Sequence, residues 1–248
     1  MLLQKRHEEI LKILEQKGVV SVTTLTELLG ASESTVRRDL IALSKMGKLN
    51  KVHGGATLTQ KAFIQNEDNI EEKLSKNMDL KKAIAKYAAL QIRDNDYVYL
   101  DAGTTTLLMI DYIKAKNATF VTNGVVHARE LVRKGFKAYI IGGELKSSTE
   151  AVIGLAAAQN LHNYNFSKSF IGVNGIAKKQ GFTTPDTDEA FLKAAAISRS
   201  FVSYIVADSS KFDRVSTVSF AKLEEAAIIT DRLPDKSYQQ LTVVKEVM

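Results

Sequence analysis

Six short β-rich runs alternate with helical stretches over the C-terminal two-thirds of this chain, and that alternation restricts its fold more than any other feature. The runs are Tyr97-Val98-Tyr99-Leu100, Thr119-Phe120-Val121-Thr122, Ala138-Tyr139-Ile140-Ile141, Ser169-Phe170-Ile171-Gly172-Val173, Tyr204-Ile205-Val206-Ala207 and Ala227-Ile228-Ile229-Thr230. Strands joined through helices lie parallel in one open sheet, with helices covering both faces. Ligands of such sheets sit beyond the carboxyl ends of the strands. The residues that follow each run are therefore the first candidates for chemistry.

Those residues are small and polar. The first run ends in Asp101-Ala102-Gly103-Thr104-Thr105-Thr106 before the helical Leu107-Leu108-Met109-Ile110, which sets backbone N–H groups and three hydroxyls at a helix start, a cradle suited to phosphate. The segment lacks the Gly-Lys-Ser/Thr of a nucleotide-hydrolysing loop and the glycine spacing of a dinucleotide site. Thr122-Asn123-Gly124, Gly142-Gly143-Glu144 and Gly172-Val173-Asn174-Gly175 follow later runs. Each alone reads as turn chemistry, because Gly and Asn tolerate positive φ. Four such ends together predict an open crevice.

Charge comes from two further segments, Gly181-Phe182-Thr183-Thr184-Pro185-Asp186-Thr187-Asp188-Glu189 and Ala207-Asp208-Ser209-Ser210-Lys211-Phe212. Asp186 and Glu189 are candidates to accept protons of sugar hydroxyls, and Lys193 and Lys211 to neutralise a phosphate. Glu189 and Lys193 also fit an ordinary i, i+4 helix pair. Lys211 reads as a lone cation at the end of a buried strand, facing the crevice.

The chain has 34 Lys+Arg against 28 Asp+Glu, a formal charge of +6. That surplus is uneven: residues 1–61 hold ten basic and six acidic residues, whereas residues 62–248 are nearly balanced at twenty-four and twenty-two. Within the basic quarter, Ile10, Ile13 and Leu14 recur at helical spacing and Gly18 supplies a stop. Ser21 then caps a short helix carrying Leu25, Leu28 and Leu29, which Gly30 ends. Ser32 caps a third helix, with Val36, Leu40 and Leu43 as its buried stripe and Gly47 beyond its end.

At about 100° per residue, Ser34, Arg38 and Lys45 project opposite that stripe, flanked by Arg37 and Ser44. A major groove requires such a face: cations for phosphates, and forked donors that pair with guanine. Ile41 falls on the same side, placed to pack under a wing or to meet a thymine methyl. Lys48-Leu49-Asn50-Lys51-Val52-His53-Gly54-Gly55-Ala56-Thr57-Leu58 predicts two short strands about a glycine turn, with Lys51 and His53 within reach of phosphate. Three helices and a hairpin make a winged helix-turn-helix. The competing reading of Arg37, Arg38 and Lys45 is a solvated helix face.

Arg6 through Ile10 and Leu14, then Ser32 and Thr35-Val36-Arg37-Arg38-Asp39-Leu40, followed by Lys51-Val52-His53-Gly54-Gly55-Ala56, resemble the N-terminal signature and wing of the DeoR family of bacterial transcription regulators. Asp101-Ala102-Gly103-Thr104-Thr105, Thr122-Asn123-Gly124, Gly142-Gly143, Gly181-Phe182-Thr183-Thr184-Pro185-Asp186 and Asp208-Ser209-Ser210-Lys211-Phe212 resemble that family's effector domain, which is similar in fold to ribose-5-phosphate isomerase and glucosamine-6-phosphate deaminase. The resemblance implies a DNA-binding repressor of a sugar-utilisation operon, controlled by a phosphorylated sugar. Within the family the chain looks most like fructose-operon repressors of Gram-positive bacteria, which implies fructose 1-phosphate.

The expected organisation is an α+β winged helix-turn-helix domain over residues 1–58, a polar, acid-rich linker over 59–77 and a mainly parallel α/β effector domain over 78–248. A helix carrying Ile84, Tyr87, Ala88 and Ile92 opens the last. The candidate DNA-binding residues are Arg6, Ser32, Ser34, Thr35, Arg37, Arg38, Lys45, Lys51, His53 and Gly54. Those for the effector are Asp101, Gly103, Thr104, Thr105, Thr106, Thr122, Asn123, Gly142, Gly143, Asn174, Asp186, Glu189, Lys193, Asp208 and Lys211. Operator half-site symmetry implies a homodimer or homotetramer.

With no cysteine and four histidines, no thiolate site and no metal are expected, and neither a cofactor nor a catalytic group is assigned. A charged N-terminus and the absence of a run of eighteen apolar residues make the expectation a cytoplasmic protein with no membrane partner. The alternative function is a sugar-phosphate isomerase or deaminase, since a fold hosts many activities. Activation, or architectural DNA binding without a ligand, is a third reading.

Overall fold

The computed structural model describes residues 2–57, 63–64 and 70–248. It forms two compact units, Met1–Phe63 and Ile64–Met248. The expected edges at 58 and 77 fall on either side of this division. Leu58 of the expected wing and residues 59–62 and 65–69 of the expected linker lie outside the described residues.

The first unit runs α1 (Leu3–Lys17), β1 (Val19–Ser21), α2 (Val22–Leu29), α3 (Glu33–Lys45), β2 (Asn50–Val52) and β3 (Gly55–Thr57). Gly18 leaves α1 at φ 75°, and its N–H closes on the Leu14 carbonyl at 2.7 Å. The Ser21 and Ser32 hydroxyls accept from the N–H groups of Thr24 and Thr35 at 3.0 and 3.3 Å, so both expected caps form. Ile10, Leu14, Leu25, Val36, Leu40 and Leu43 make one fully buried core.

The hairpin gains a strand that the sequence reading did not assign. Val19–Ser21 pairs antiparallel with β3, giving the order β1-β3-β2. Val20 is buried while Val19 is exposed, an alternation too short to register as a strand. Gly55 is needed here for closeness, since a Cβ would stand 2.2 Å from the Val20 carbonyl oxygen.

The second stretch carries β4 (Phe63–Ile64), α4 (Ile70–Ser75), α5 (Met78–Ala89), β5 (Tyr97–Leu100), α6 (Thr104–Met109), β6 (Thr119–Thr122), α7 (Val125–Arg133), β7 (Lys137–Ile140), β8 (Glu144–Lys146) and β9 (Ala151–Ile153). It continues with α8 (Leu155–Leu161), β10 (Phe166–Ile171), β11 (Gly175–Ala177), β12 (Gly181–Thr184), α9 (Thr187–Ser198), β13 (Ser200–Val206), β14 (Val215–Ser216), β15 (Val218–Ala221), β16 (Ala227–Thr230) and β17 (Val244–Glu246). Seven strands form one wholly parallel sheet in the order β17-β16-β13-β10-β5-β6-β7. Smaller antiparallel pairings join β8 to β9, and β12 to β11 and β15.

Alternate residues of each central strand face opposite sides. Val98, Leu100, Phe120, Phe170, Val206 and Ile229 pack with Ile84, Ala85 and Ala88 of α5. Tyr99, Val121, Ile171, Ile205 and Ile228 pack with Leu161 of α8 and Leu192 and Ala196 of α9. Two strands begin earlier than their apolar runs suggest. β10 starts at Phe166 because its polar Ser167 and Lys168 both bond the Asp96 carboxylate, at 2.8 and 2.5 Å. β13 starts at Ser200, and its buried Ser203 hydroxyl accepts from Ser169 across the pair at 2.9 Å.

The sheet reverses its order between β5 and β10: β6 and β7 extend one way from β5, and β13, β16 and β17 the other way from β10. Such a switch point opens a crevice at the carboxyl edge. Among the described residues no helix is long and apolar enough to cross a membrane.

Candidate functional site

The crevice at the switch point spans about 620 Å³, counting its solvent-open mouth. β5 delivers Asp101, only 2% exposed, to its floor. One carboxylate oxygen accepts from Lys193 Nζ at 2.6 Å and from the Gly172 N–H at 2.9 Å. Asp101 thereby ties β5 to the end of β10 and to α9. Glu189, one turn before Lys193, is held by Lys146 at 2.9 Å, and Lys146 also reaches Asp186 at 2.8 Å. Acid and base of α9 thus turn to partners from other elements.

Lys193 and Lys211, the two expected cations, line the crevice together with Lys73 and Lys81. Parallel crossovers bring these lysines together from segments far apart in sequence. Lys81 is 5% exposed, and its ammonium donates to the Lys73 carbonyl. Asp208 accepts from the Asn77 side-chain amide at 3.2 Å and from the Ser210 N–H at 3.0 Å. The lining holds four lysines, Lys73, Lys81, Lys193 and Lys211, against three carboxylates, Asp101, Glu189 and Asp208, a small formal cationic surplus suited to an anion.

Ten of the fifteen expected effector residues line this crevice: Asp101, Gly103, Thr104, Thr105, Thr106, Asn174, Glu189, Lys193, Asp208 and Lys211. The Thr106 hydroxyl, however, serves the loop itself. It donates to the Asp101 carbonyl at 2.6 Å and accepts from the Gly103 N–H at 3.0 Å. The expected cradle therefore has one hydroxyl and one N–H fewer to offer.

The other five stand outside the lining. Thr122 is fully buried and its hydroxyl accepts from the Gly124 N–H at 3.0 Å. Asn123 accepts from the Tyr99 hydroxyl at 3.1 Å and the Ala102 N–H at 2.7 Å, fixing the loop after β5 from below. Gly143 is small because a Cβ would lie 2.8 Å from the Ile153 carbonyl oxygen, and Gly142 is exposed beside it. Asp186 caps α9, accepting from the N–H groups of Asp188 and Glu189 at 2.9 and 3.0 Å. Burial raises its carboxyl pKa, but Lys146 and those N–H groups hold it below the ordinary value.

Sequence reasoning passed over Lys73, Lys81, Lys146, Thr149 and His127. Lys81 differs from its neighbour Lys82 only in burial, which no local pattern encodes. His127, on α7, is buried, and its Nε2 lies 3.1 Å from the Gly103 carbonyl, so that nitrogen carries the proton. Burial pushes its pKa down to about 4, against the opposing pull of Asp101 and the Gly103 carbonyl, so the ring is neutral at pH 7.

In the first unit, Ser34, Arg37, Arg38 and Lys45 stand exposed along α3, with Thr35 half-buried and Ser32 at the cap. Arg37 donates to Glu33 at 2.8 Å, an exposed pair that solvent weakens, and Arg38 Nε to the Ser34 carbonyl at 3.3 Å. Ile41 is 39% exposed on this face rather than packed away. Lys51, His53 and Gly54 are exposed at the hairpin, where Gly54 turns at φ 77°.

Arg6 is differently employed: its Nη2 donates to Asp39 at 3.2 Å, tying α1 to α3, with His7 Nε2 at 3.3 Å from the same carboxylate. Burial raises the Asp39 pKa, yet Arg6 and His7 hold it below its ordinary value.

A winged helix-turn-helix joined in one chain to a parallel α/β unit with a cationic crevice defines a ligand-responsive DNA-binding regulator by its parts. Residues 6–62 match the DeoR-like helix-turn-helix domain, and residues 76–232 match the DeoR C terminal sensor domain. The chain belongs to the DeoR family of transcriptional regulators. It is 45% identical to the uncharacterized HTH-type transcriptional regulator FruR of Bacillus subtilis (strain 168), across 100% of this chain and 99% of that one. It is 33% identical to the lactose phosphotransferase system repressor of Streptococcus mutans, covering 99% and 98% of the two chains. Among solved structures, ribose 5-phosphate isomerase A of Methanocaldococcus jannaschii matches over 55% of either chain, with a TM-score of 0.42 and 14% identity.

Proposed function

We propose that this chain is a repressor of a sugar-utilisation operon whose hold on operator DNA is controlled by a phosphorylated sugar in the crevice. The observation that carries this reading is the set of four lysines gathered at the switch point beside carboxylates and hydroxyls. Lysines suit a phosphate, and Asn174, Asp208 and the threonines suit a polyol. The relatives named as lactose phosphotransferase system repressors, 33–36% identical, support a sugar-linked role. The resemblance to fructose-operon repressors makes fructose 1-phosphate the first effector to test.

DNA binding is assigned to the exposed face of α3, with Ser34, Arg37, Arg38 and Lys45 at the groove, and to Lys51 and His53 of the hairpin. A homodimer or homotetramer follows from operator half-sites, and the cytoplasm is where that DNA lies. Lys73 and Lys81 line the crevice and belong to the stretch of sequence that follows the DNA-binding unit, so a ligand touching them acts on the segment through which a change must pass. To shift operator binding the ligand must favour one state of the protein over the other. An isomerase role is less well supported, because Asp101 and Glu189 are engaged by lysines rather than poised as free bases.

The test is titration of the operator complex with fructose 1-phosphate, followed by fluorescence anisotropy, alongside melting of the protein with the same sugar. The expected result is a changed operator affinity and a higher melting temperature, since a ligand of the folded state alone must stabilise it. Operator affinity unmoved by any of a panel of sugar phosphates, or aldose–ketose turnover by the protein, would overturn the proposal.

A further inference from the structure

Among the described residues, three buried hydroxyl oxygens lack a hydrogen-bond partner: those of Thr149, Ser216 and Ser237. Thr149 is the one of the three that lines the crevice, and it is 8% exposed. Buried hydroxyls almost always find partners, because stripping one of water without replacement is costly. An orphan hydroxyl on a ligand cavity therefore points to the ligand.

Thr149 also lines a second cavity of about 400 Å³, whose wall adds Leu107, Val126, His127 and Glu150. The two cavities share Lys73, Ala102, Gly103, Thr104 and Thr149, so Thr149 stands where they adjoin. Their chemistry differs. Lys81, Lys193 and Lys211 are confined to the crevice, whereas the second cavity sets Lys73 against Glu150, one charge of each sign, beside a neutral imidazole and apolar side chains. A phosphate suits the first and an uncharged polyol the second.

We infer that the Thr149 hydroxyl is a specificity-determining group that hydrogen-bonds a sugar hydroxyl, and that the second cavity receives the end of the ligand remote from its phosphate. This assignment rests on the sugar-phosphate reading of the crevice. It goes beyond that reading in naming the group that distinguishes a sugar phosphate from phosphate alone. Threonine suits the task because its hydroxyl both donates and accepts, as a sugar hydroxyl does.

Calorimetric titration of the wild type, Thr149→Val and Thr149→Ser with fructose 1-phosphate, fructose 6-phosphate, ribose 5-phosphate and inorganic phosphate tests the assignment. Valine keeps the shape and removes the hydroxyl; serine keeps the hydroxyl. The affinity of Thr149→Val for the sugar phosphate that binds the wild type best should fall about tenfold, as for one lost hydrogen bond. Thr149→Ser should stay within about threefold of the wild type, and inorganic phosphate should bind all three alike.

Without ligand, Thr149→Val should melt at or above the wild-type temperature, since the orphan hydroxyl has no bond to lose. A lower melting temperature would assign the hydroxyl to the fold and overturn the inference. So would sugar-phosphate affinity unchanged in Thr149→Val, or inorganic phosphate weakened as much as the sugar phosphate. If the wild type binds none of the sugars, the sugar-phosphate reading falls and takes this inference with it.

Discussion

Arg37, Arg38 and Lys45 stand in solvent on one face of α3, whereas Asp101, Lys81 and Lys193 are more than nine-tenths buried around the crevice. The contrast follows from the size of what each region is proposed to meet. A DNA groove brings its own phosphates to a convex face, so cations can wait there hydrated and unpaired with anything stronger than Glu33. A small ligand must be surrounded, so the groups that meet it are desolvated first and need partners of their own. Charge in the first unit is therefore arranged by helical periodicity, and charge in the second by cross-element pairing.

Breaking a buried partnership should have the largest effect. Asp101→Ala leaves Lys193 buried without its carboxylate and should destabilise the second unit by about 3–5 kcal/mol. Thermal unfolding of the full chain, followed by a probe in each unit, would show the loss confined to the second. Comparable loss in the first would erase the contrast.

His127 gives a pH-dependent counterpart. Its pKa in the fold is about 4, below the ordinary 6.5, so acid protonates the unfolded chain first. Its contribution is complete above about pH 6.5 and drains as the pH falls to about 4, on the order of 3 kcal/mol in all. Replacing it in His127→Gln should flatten the stability curve over that interval, as read by denaturant unfolding at a series of pH values. A slope equal to the wild type's would place the titration elsewhere.

Effects on the exposed face should appear in DNA binding rather than in stability. Arg37→Ala should weaken operator binding by about 1–3 kcal/mol and relax base preference at one position, with the melting temperature almost unmoved. An unchanged footprint and affinity would remove Arg37 from the reading set. The smallest effect belongs to Lys51→Ala, which should weaken all sequences alike and reduce the salt slope by roughly one unit. If the slope is unaltered, the hairpin does not rest on phosphate.

Legibility differed between the regions for the same reason. Ser21, Ser32, Gly18 and Gly30 act within a few residues of themselves, so the caps and stops of α1 to α3 could be read from neighbours. Val19–Val20 could not, because pairing with Ala56 and Thr57 makes that segment a strand. In the crevice, strand ends announced Asp101, Gly103, Asn174, Asp208 and Lys211. Thr122 and Asn123 have the same composition and the same position after a strand, yet they are spent on the Gly124 and Ala102 N–H groups. Composition at a strand end does not say whether a polar group faces the ligand or the loop beneath it.

The amino-acid sequence by itself determined the three helices of the first unit, six of the seven strands of the main sheet and their parallel character, the buried stripe of α3 and its exposed cations. These depend on periodicity and capping, which are short-range properties of the chain. Tertiary structure alone decided that Lys193 would meet Asp101, ninety-two residues away, that Lys81 would be buried and Lys82 exposed, and that Arg6 would turn inward to Asp39. Partner choice among like-charged residues depends on strand order and helix packing. Those put side chains from remote segments within about 3 Å, where desolvation makes each charge take the partner it finds.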